Sequence, residues 1–151
     1  MSAAAGEYLR KHVQPAVPVV QPGQHSLVNF PNIVSTADAG PQTFAITVPL
    51  PGTVTATPTY RWRFTGPDQT ITTAEGTGRT YDGTSPRTGP ADYYLTATFR
   101  RHGTGHIELT ATWTGTATVQ NNPPVPLDPL ALTTATDLQV EQLRPVLLDP
   151  R

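Results

Sequence analysis

Between residues 43 and 64 the chain alternates. Phe44, Ile46, Val48 and Leu50 are interleaved with Thr43, Ala45, Thr47 and Pro49, and Pro51 and Gly52 end the run. A period of two assigns each set to one face of a strand, so a half-buried strand turning back at Pro51–Gly52 is expected. Val54, Ala56, Tyr60, Trp62 and Phe64 keep the inward parity of the return strand, interrupted at Pro58. Thr55, Thr57, Thr59, Arg61 and Arg63 fall between them, on a wet face. The pattern returns downstream. Tyr93, Leu95, Ala97 and Phe99 share one parity, as do Ile107, Leu109, Ala111, Trp113, Ala117 and Val119. Gly103-Thr104-Gly105 lies between them and suits a three-residue hairpin loop. That hairpin would pair Phe99 with Leu109, Ala97 with Ala111 and Leu95 with Trp113 inside. Outside it would pair Arg100 with Glu108, Thr98 with Thr110 and Thr96 with Thr112. A one-residue slip sets an apolar face against a polar one.

The rest is less regular. Residues 2–13 contain good helix formers (Ala3, Ala4, Ala5, Leu9, Arg10) with Ser2 as a cap, and so short a helix needs a docking surface. Residues 14–24 carry Pro15, Pro18, Pro22 and Gly23, which predicts an extended arm. Leu27–Val28 and Ile33–Val34 around Pro31 predict an irregular edge strand. Residues 65–91 hold eight Gly and Pro residues. Ile71 and Tyr81 are the expected anchors there of an interrupted hairpin, since long structureless loops are uncommon in compact domains. A second proline-rich connection spans residues 121–129, and a final strand is expected over residues 137–143. The organisation expected is an N-terminal helix and proline-rich arm (1–25), one folded domain (26–147) and a tail (148–151). Short strands with Gly/Pro turns predict an all-β, antiparallel β-sandwich.

Composition sharpens this picture. Among 151 residues there are 26 Thr, 4 Ser and no Cys, and the net charge is −1. Disulfides, thiolate metal sites and a cysteine nucleophile are excluded. The charge balance offers no broad field for nucleic acid, and no apolar run approaches the roughly 18–20 residues of a membrane-spanning helix. The opening residues lack the apolar core of a signal peptide, so the reading is either a cytoplasmic chain or one whose leader lies outside this numbering.

Two segments carry a family resemblance. Tyr60-Arg61-Trp62-Arg63-Phe64 and Asp92-Tyr93-Tyr94-Leu95-Thr96-Ala97-Thr98 resemble the Tyr-x-Trp-x-Phe and Gly-x-Tyr-x-Val-Thr strands of PKD (polycystic kidney disease) domains. The opening at residues 27–32 and the close at 140–147 are similar to a variant found in exported actinobacterial proteins, so the resemblance covers about residues 26–147. The family's Gly-Asp-Gly turn is replaced here by Thr65-Gly66-Pro67-Asp68. The resemblance implies an immunoglobulin-like sandwich and a non-catalytic structural or interaction module of the cell surface or secreted fraction. The alternatives are a subunit of a self-assembling particle or filament docking through its terminal arms, and a small carbohydrate-binding module on cell-wall glycan.

Candidate chemistry is sparse. His102 and His106 flank the expected turn and would face each other, near enough for two imidazoles to reach one Zn²⁺ or Cu²⁺, although a stable site wants further ligands. Glu108 would be occupied by Arg100. Asp68, Glu75, Asp82 and Asp92 sit among turn signals, without Asp-x-Asp-x-Asp calcium spacing. No Gly-x-Ser-x-Gly or phosphate-binding loop occurs. No cofactor and no catalytic residue is nominated. Trp62 and Trp113 have core parity. Tyr94 is expected to point outward as a ligand contact, and Arg61 and Arg63 offer outward cations for phosphate or acidic sugar.

Overall fold

The computed structural model describes residues 9–46, 51–86, 93–119 and 122–142. These residues are all-β apart from one helical turn at 9–12. The strands are β1 (Val19–Gln21), β2 (His25–Leu27), β3 (Asn32–Ser35), β4 (Gln42–Ile46), β5 (Gly52–Thr65), β6 (Ile71–Glu75), β7 (Leu95–Ala97), β8 (Gly103–Val119), β9 (Val125–Pro126) and β10 (Leu130–Glu141). The larger sheet has the order β2-β10-β8-β5-β4, with β6 continuing along β5 beyond β4 and β9 pairing with β8. The smaller sheet is β1-β3-β7. Pairing is antiparallel except for β2, which runs parallel to β10.

Alternation built β5 and β8 as expected. From Val54 to Phe64 every second residue of β5 is buried, and the residues between are exposed. Pro58 does not interrupt this strand. The Tyr60 carbonyl accepts from Gly76 N–H on the β6 side, so Pro58, two residues earlier, presents its nitrogen to the same edge. There β4 has ended at Ala56 and β6 has not begun at Arg61. Proline's missing N–H costs no ladder bond at that gap.

The inward face of the long sheet is covered in two places. Tyr60, Trp62, Phe64, Ile107, Leu109, Ala111, Leu138 and Val140 pack with Val34 of β3, Ala97 of β7 and Phe99. Further along, Val54, Ala56, Trp113, Ala117 and Leu130 pack with Leu127 and with Leu9 and Val13 from the N-terminal segment. Trp62 and Trp113 therefore belong to separate clusters. The N-terminal segment also supplies β1, and its Ala16 and Val17 carbonyls accept hydroxyls from Thr134 and Thr36.

Several expectations require correction. The Tyr93–Phe99 and Ile107–Val119 segments do not form a hairpin. β7 pairs with β3 in the smaller sheet, with Ala97 opposite Asn32, while β8 lies between β5 and β10 in the larger one. Phe99 and Leu109 do share one core, but they meet across it rather than side by side. Residues 98–102 are a corner between sheets, tied where the Phe99 carbonyl accepts from Asn29 N–H. Second, Ile33–Val34 belong to the central strand of the smaller sheet, not to an edge. Asn32 is fully buried, and its amide donates to the Phe30 and Ala97 carbonyls. Third, Ile71 and Tyr81 are each 49% exposed and anchor nothing by burial. Of the interrupted hairpin expected within residues 65–91, β6 forms, but it pairs with β5, and Tyr81 lies in no strand. The last strand begins at Leu130, not at residue 137. The expected helix at 2–8, the strand end at 47–50, Asp92 and residues 143–147 lie outside the described residues.

Candidate interaction surface

The sequence-nominated residues are dispersed. Arg61 and Arg63 stand on the outward face, opposite Thr110 and Glu108 on one side and Glu75 and Thr73 on the other. His102 lies in the corner, and His106 lies within β8 opposite Thr65 and Asp137. The two imidazoles are thus not turn partners, because the turn between them does not exist. His106 Nδ1 is 2.6 Å from Asp137 Oδ1, and its Nε2 is 3.3 Å from Glu108 Oε1. Among the described residues no three His, Asp or Glu side chains converge on a point that a metal ion could occupy.

Tyr94 is also corrected: it is 7% exposed and points inward. Its hydroxyl lies 2.8 Å from Asp82 and 2.9 Å from the Thr84 carbonyl, with one proton shared between these two acceptors, and its ring stacks against Tyr81. Tyr93 O–H donates to the other oxygen of Asp82, with Arg79 placed 4.1 Å over the Tyr93 ring. Asp82 also accepts from Thr84 N–H. These donors, led by the Tyr93 hydroxyl, hold the Asp82 carboxyl below the usual carboxylate range. Burial pushes the Tyr94 hydroxyl up. The sequence signal was an Asp82–Gly83 turn, and two tyrosines made that turn a loop anchor. Because the folded-state pKa of Asp82 is depressed, its stabilisation is complete above about pH 4 and is lost as pH falls below that. We expect the melting temperature to fall more steeply below about pH 4 in the wild type than in Asp82→Asn. Parallel pH profiles would remove Asp82 from this role.

Among the described residues nothing covers the outward face of the large sheet. Thr53, Thr55, Thr57 and Thr59 of β5 stand opposite Thr118, Thr116, Thr114 and Thr112 of β8. Thr43 flanks Thr55, and Thr133 flanks Thr110 with a 2.8 Å hydroxyl contact. β-Branched side chains suit this pleated surface and leave few rotamers to freeze when it is covered.

The second feature is a cleft of about 1220 Å³ between β6 and the corner after β7. Phe64, Phe99 and Ala74 form its apolar part, Thr70, Thr72, Thr96 and Thr98 its polar walls, and Arg100 and Arg101 its mouth, facing Asp68. Asp68 accepts Thr70 N–H at 3.2 Å, which holds its carboxyl below the ordinary range. It builds the β5–β6 turn together with Gln69, whose φ is 69°. Comparison of the chain with family models, with curated proteins and with solved structures returns no match.

Proposed function

We propose that this chain is a non-catalytic interaction module of the cell surface or secreted fraction, built as an immunoglobulin-like sandwich of the PKD type. The observation that supports it most directly is the outward face, where long strands paired residue by residue present two files of threonine on a scaffold fixed from behind by two core clusters. Such a face offers hydroxyls at regular spacing without charge, and it meets another protein surface at low entropic cost. Enclosing the reacting groups of an enzyme needs convergent titratable side chains. Here the carboxylates Asp68 and Asp82 are both engaged in turn and loop hydrogen bonds. The test is fractionation of cells producing the tagged chain. Retention in the envelope or medium is expected, and Thr57→Arg combined with Thr114→Arg should reduce envelope retention at a stability cost of about 1 kcal/mol, the scale for like charges placed directly opposite on paired strands. A wholly cytoplasmic chain would overturn the reading.

Self-assembly through the N-terminal arm is the second reading. Val17 and Val19 are 69% and 43% exposed along the outer edge of the smaller sheet, where β1 has β3 on one side only. An uncovered apolar edge strand is a template for pairing with another chain. Light scattering over a concentration series should show association that Val19→Lys abolishes. A monomer at every concentration would end this second reading and leave the first intact.

A further inference from the structure

Among the described residues the smaller sheet is one strand too narrow for the larger. Thr72 and Ala74 of β6 have the parity of buried residues, since they pair with Phe64 and Trp62. Yet Thr72 is exposed and Ala74 only half-buried, because among the described residues β7 is the last strand of the smaller sheet and stops short of β6. The cleft occupies that missing position.

The backbone beside it faces the right way. The Ala97 carbonyl accepts from Asn32 Nδ2 and the Phe99 carbonyl from Asn29 N–H, both on the β3 side. Successive residues of an extended chain turn their N–H and C=O groups to opposite edges. The main-chain groups of Thr96 and Thr98 are therefore directed into the cleft, and no described residue pairs with them there. Edge groups of this kind are what an added strand uses.

Charge identifies the occupant. Arg100 and Arg101 line the cleft mouth and the adjoining depression of about 400 Å³, which adds Val28, Pro67 and His102. Among the described residues neither arginine forms an ion pair. Asp68 is the one carboxylate among the described lining residues of both; it is bonded to Thr70 N–H and feels the charge of Arg101 without an ion-pair contact, which leaves Arg100 free among these residues and Arg101 only weakly engaged.

We propose that the cleft between β6 and β7 binds an extended segment of a partner protein as an added strand on β7, with acidic residues of that segment held by Arg100 and Arg101. Antiparallel addition puts the acidic residues at the N-terminal end of the segment, because β7 runs toward Arg100. The segment's alternate residues then cover Phe64, Ala74 and Phe99. This rests on the interaction-module reading but uses a different surface from the threonine face.

The experiment is a fluorescence-anisotropy titration of the full chain with a labelled octapeptide, Asp-Glu-Val-Thr-Val-Thr-Val-Thr. Two companions carry Lys-Lys in place of Asp-Glu, or the acidic pair at the C-terminal end. The first peptide should bind, with affinity reduced on the order of tenfold in the Lys-Lys companion and in Arg100→Glu/Arg101→Glu. Thr98→Pro, which removes a donor facing the cleft, should reduce binding without altering the arginines. Circular dichroism of each variant separates lost binding from lost fold. No binding, equal binding of the acidic and Lys-Lys peptides, or competition by inorganic phosphate alone would overturn the proposal. So would dimerisation that Arg100→Glu/Arg101→Glu abolishes, since the occupant would then be a second copy. Thr57→Arg/Thr114→Arg should leave peptide binding unchanged, so failure of the cleft and failure of the outward face are read separately.

Discussion

Replacing Trp62 by alanine should lower the unfolding free energy by about 3–5 kcal/mol, measured by urea denaturation. Among the described residues Trp62 is the largest fully buried side chain, at 0% exposure. It sits between Leu109 of β8 and Ala74 of β6 in register, with Phe64 stacked 6.1 Å away. Its removal opens a void beneath β3 and β7, whose backbones are fixed by their own ladder and cannot collapse to fill it. The indole also donates to the Gly76 carbonyl at 2.8 Å. Gly76 begins the passage from the larger to the smaller sheet, where Gly78 bridges Ser35 and Thr36 N–H bonds to the Thr77 carbonyl. Trp62→Phe separates the two contributions. It keeps much of the volume and loses the hydrogen bond, worth about 1 kcal/mol net. Against a total stability of about 5–15 kcal/mol, the alanine variant should be partly unfolded at physiological temperature. A loss below about 1 kcal/mol for Trp62→Ala would show that this cluster is not the principal core.

That core was legible because parity along a strand is a local property. Trp62, Leu109 and Phe99 could each be assigned inward from their immediate neighbours. Which strand lies next to which is not local. An inward Phe99 meets an inward Leu109 equally well as a hairpin partner or from across the interior, and Gly103-Thr104-Gly105 satisfies turn chemistry while actually opening β8. The deciding contact was Asn32, whose amide bonds to Ala97 from 65 positions away. No pattern within 92–119 carries that information. Tyr94 failed for a related reason. Parity placed it outward, but β7 begins only at Leu95, so the period did not apply to it, and Asp82 supplied an inward partner for its hydroxyl. The candidate site was least legible. A cleft defined by a strand that the smaller sheet lacks among the described residues becomes visible only when both sheets are counted, and parity sets Arg100 on an outward strand face opposite Glu108 while giving Arg101 no role.

The second large effect belongs to Gly115. In β8 it lies opposite Ala56 of β5. A Cβ added there would come within 1.9 Å of the Thr55 carbonyl oxygen and 2.7 Å of the Ala56 Cα. Both are backbone atoms of the paired strand, so no rotamer change relieves the contact. Relief by separating the strands is opposed on the other edge, where the Gly115 carbonyl accepts from Leu127 N–H at 2.9 Å. This is also where the neighbour of β8 changes, from β10, whose last pair is Leu130 with Trp113, to β9, whose first is Pro126 with Thr116. Displacing β8 here would pull Trp113, Ala117 and Leu127 out of register with Leu9, Val13 and Val54. Gly115→Ala should therefore cost about 3 kcal/mol or more, the upper range for overpacking, and larger side chains more still. Thr116→Ala, one residue along on the exposed face, is the control and should change stability by no more than about 0.5 kcal/mol. Urea melts of the two variants decide the matter: equal stability would mean that β5 and β8 do not approach this closely at Gly115.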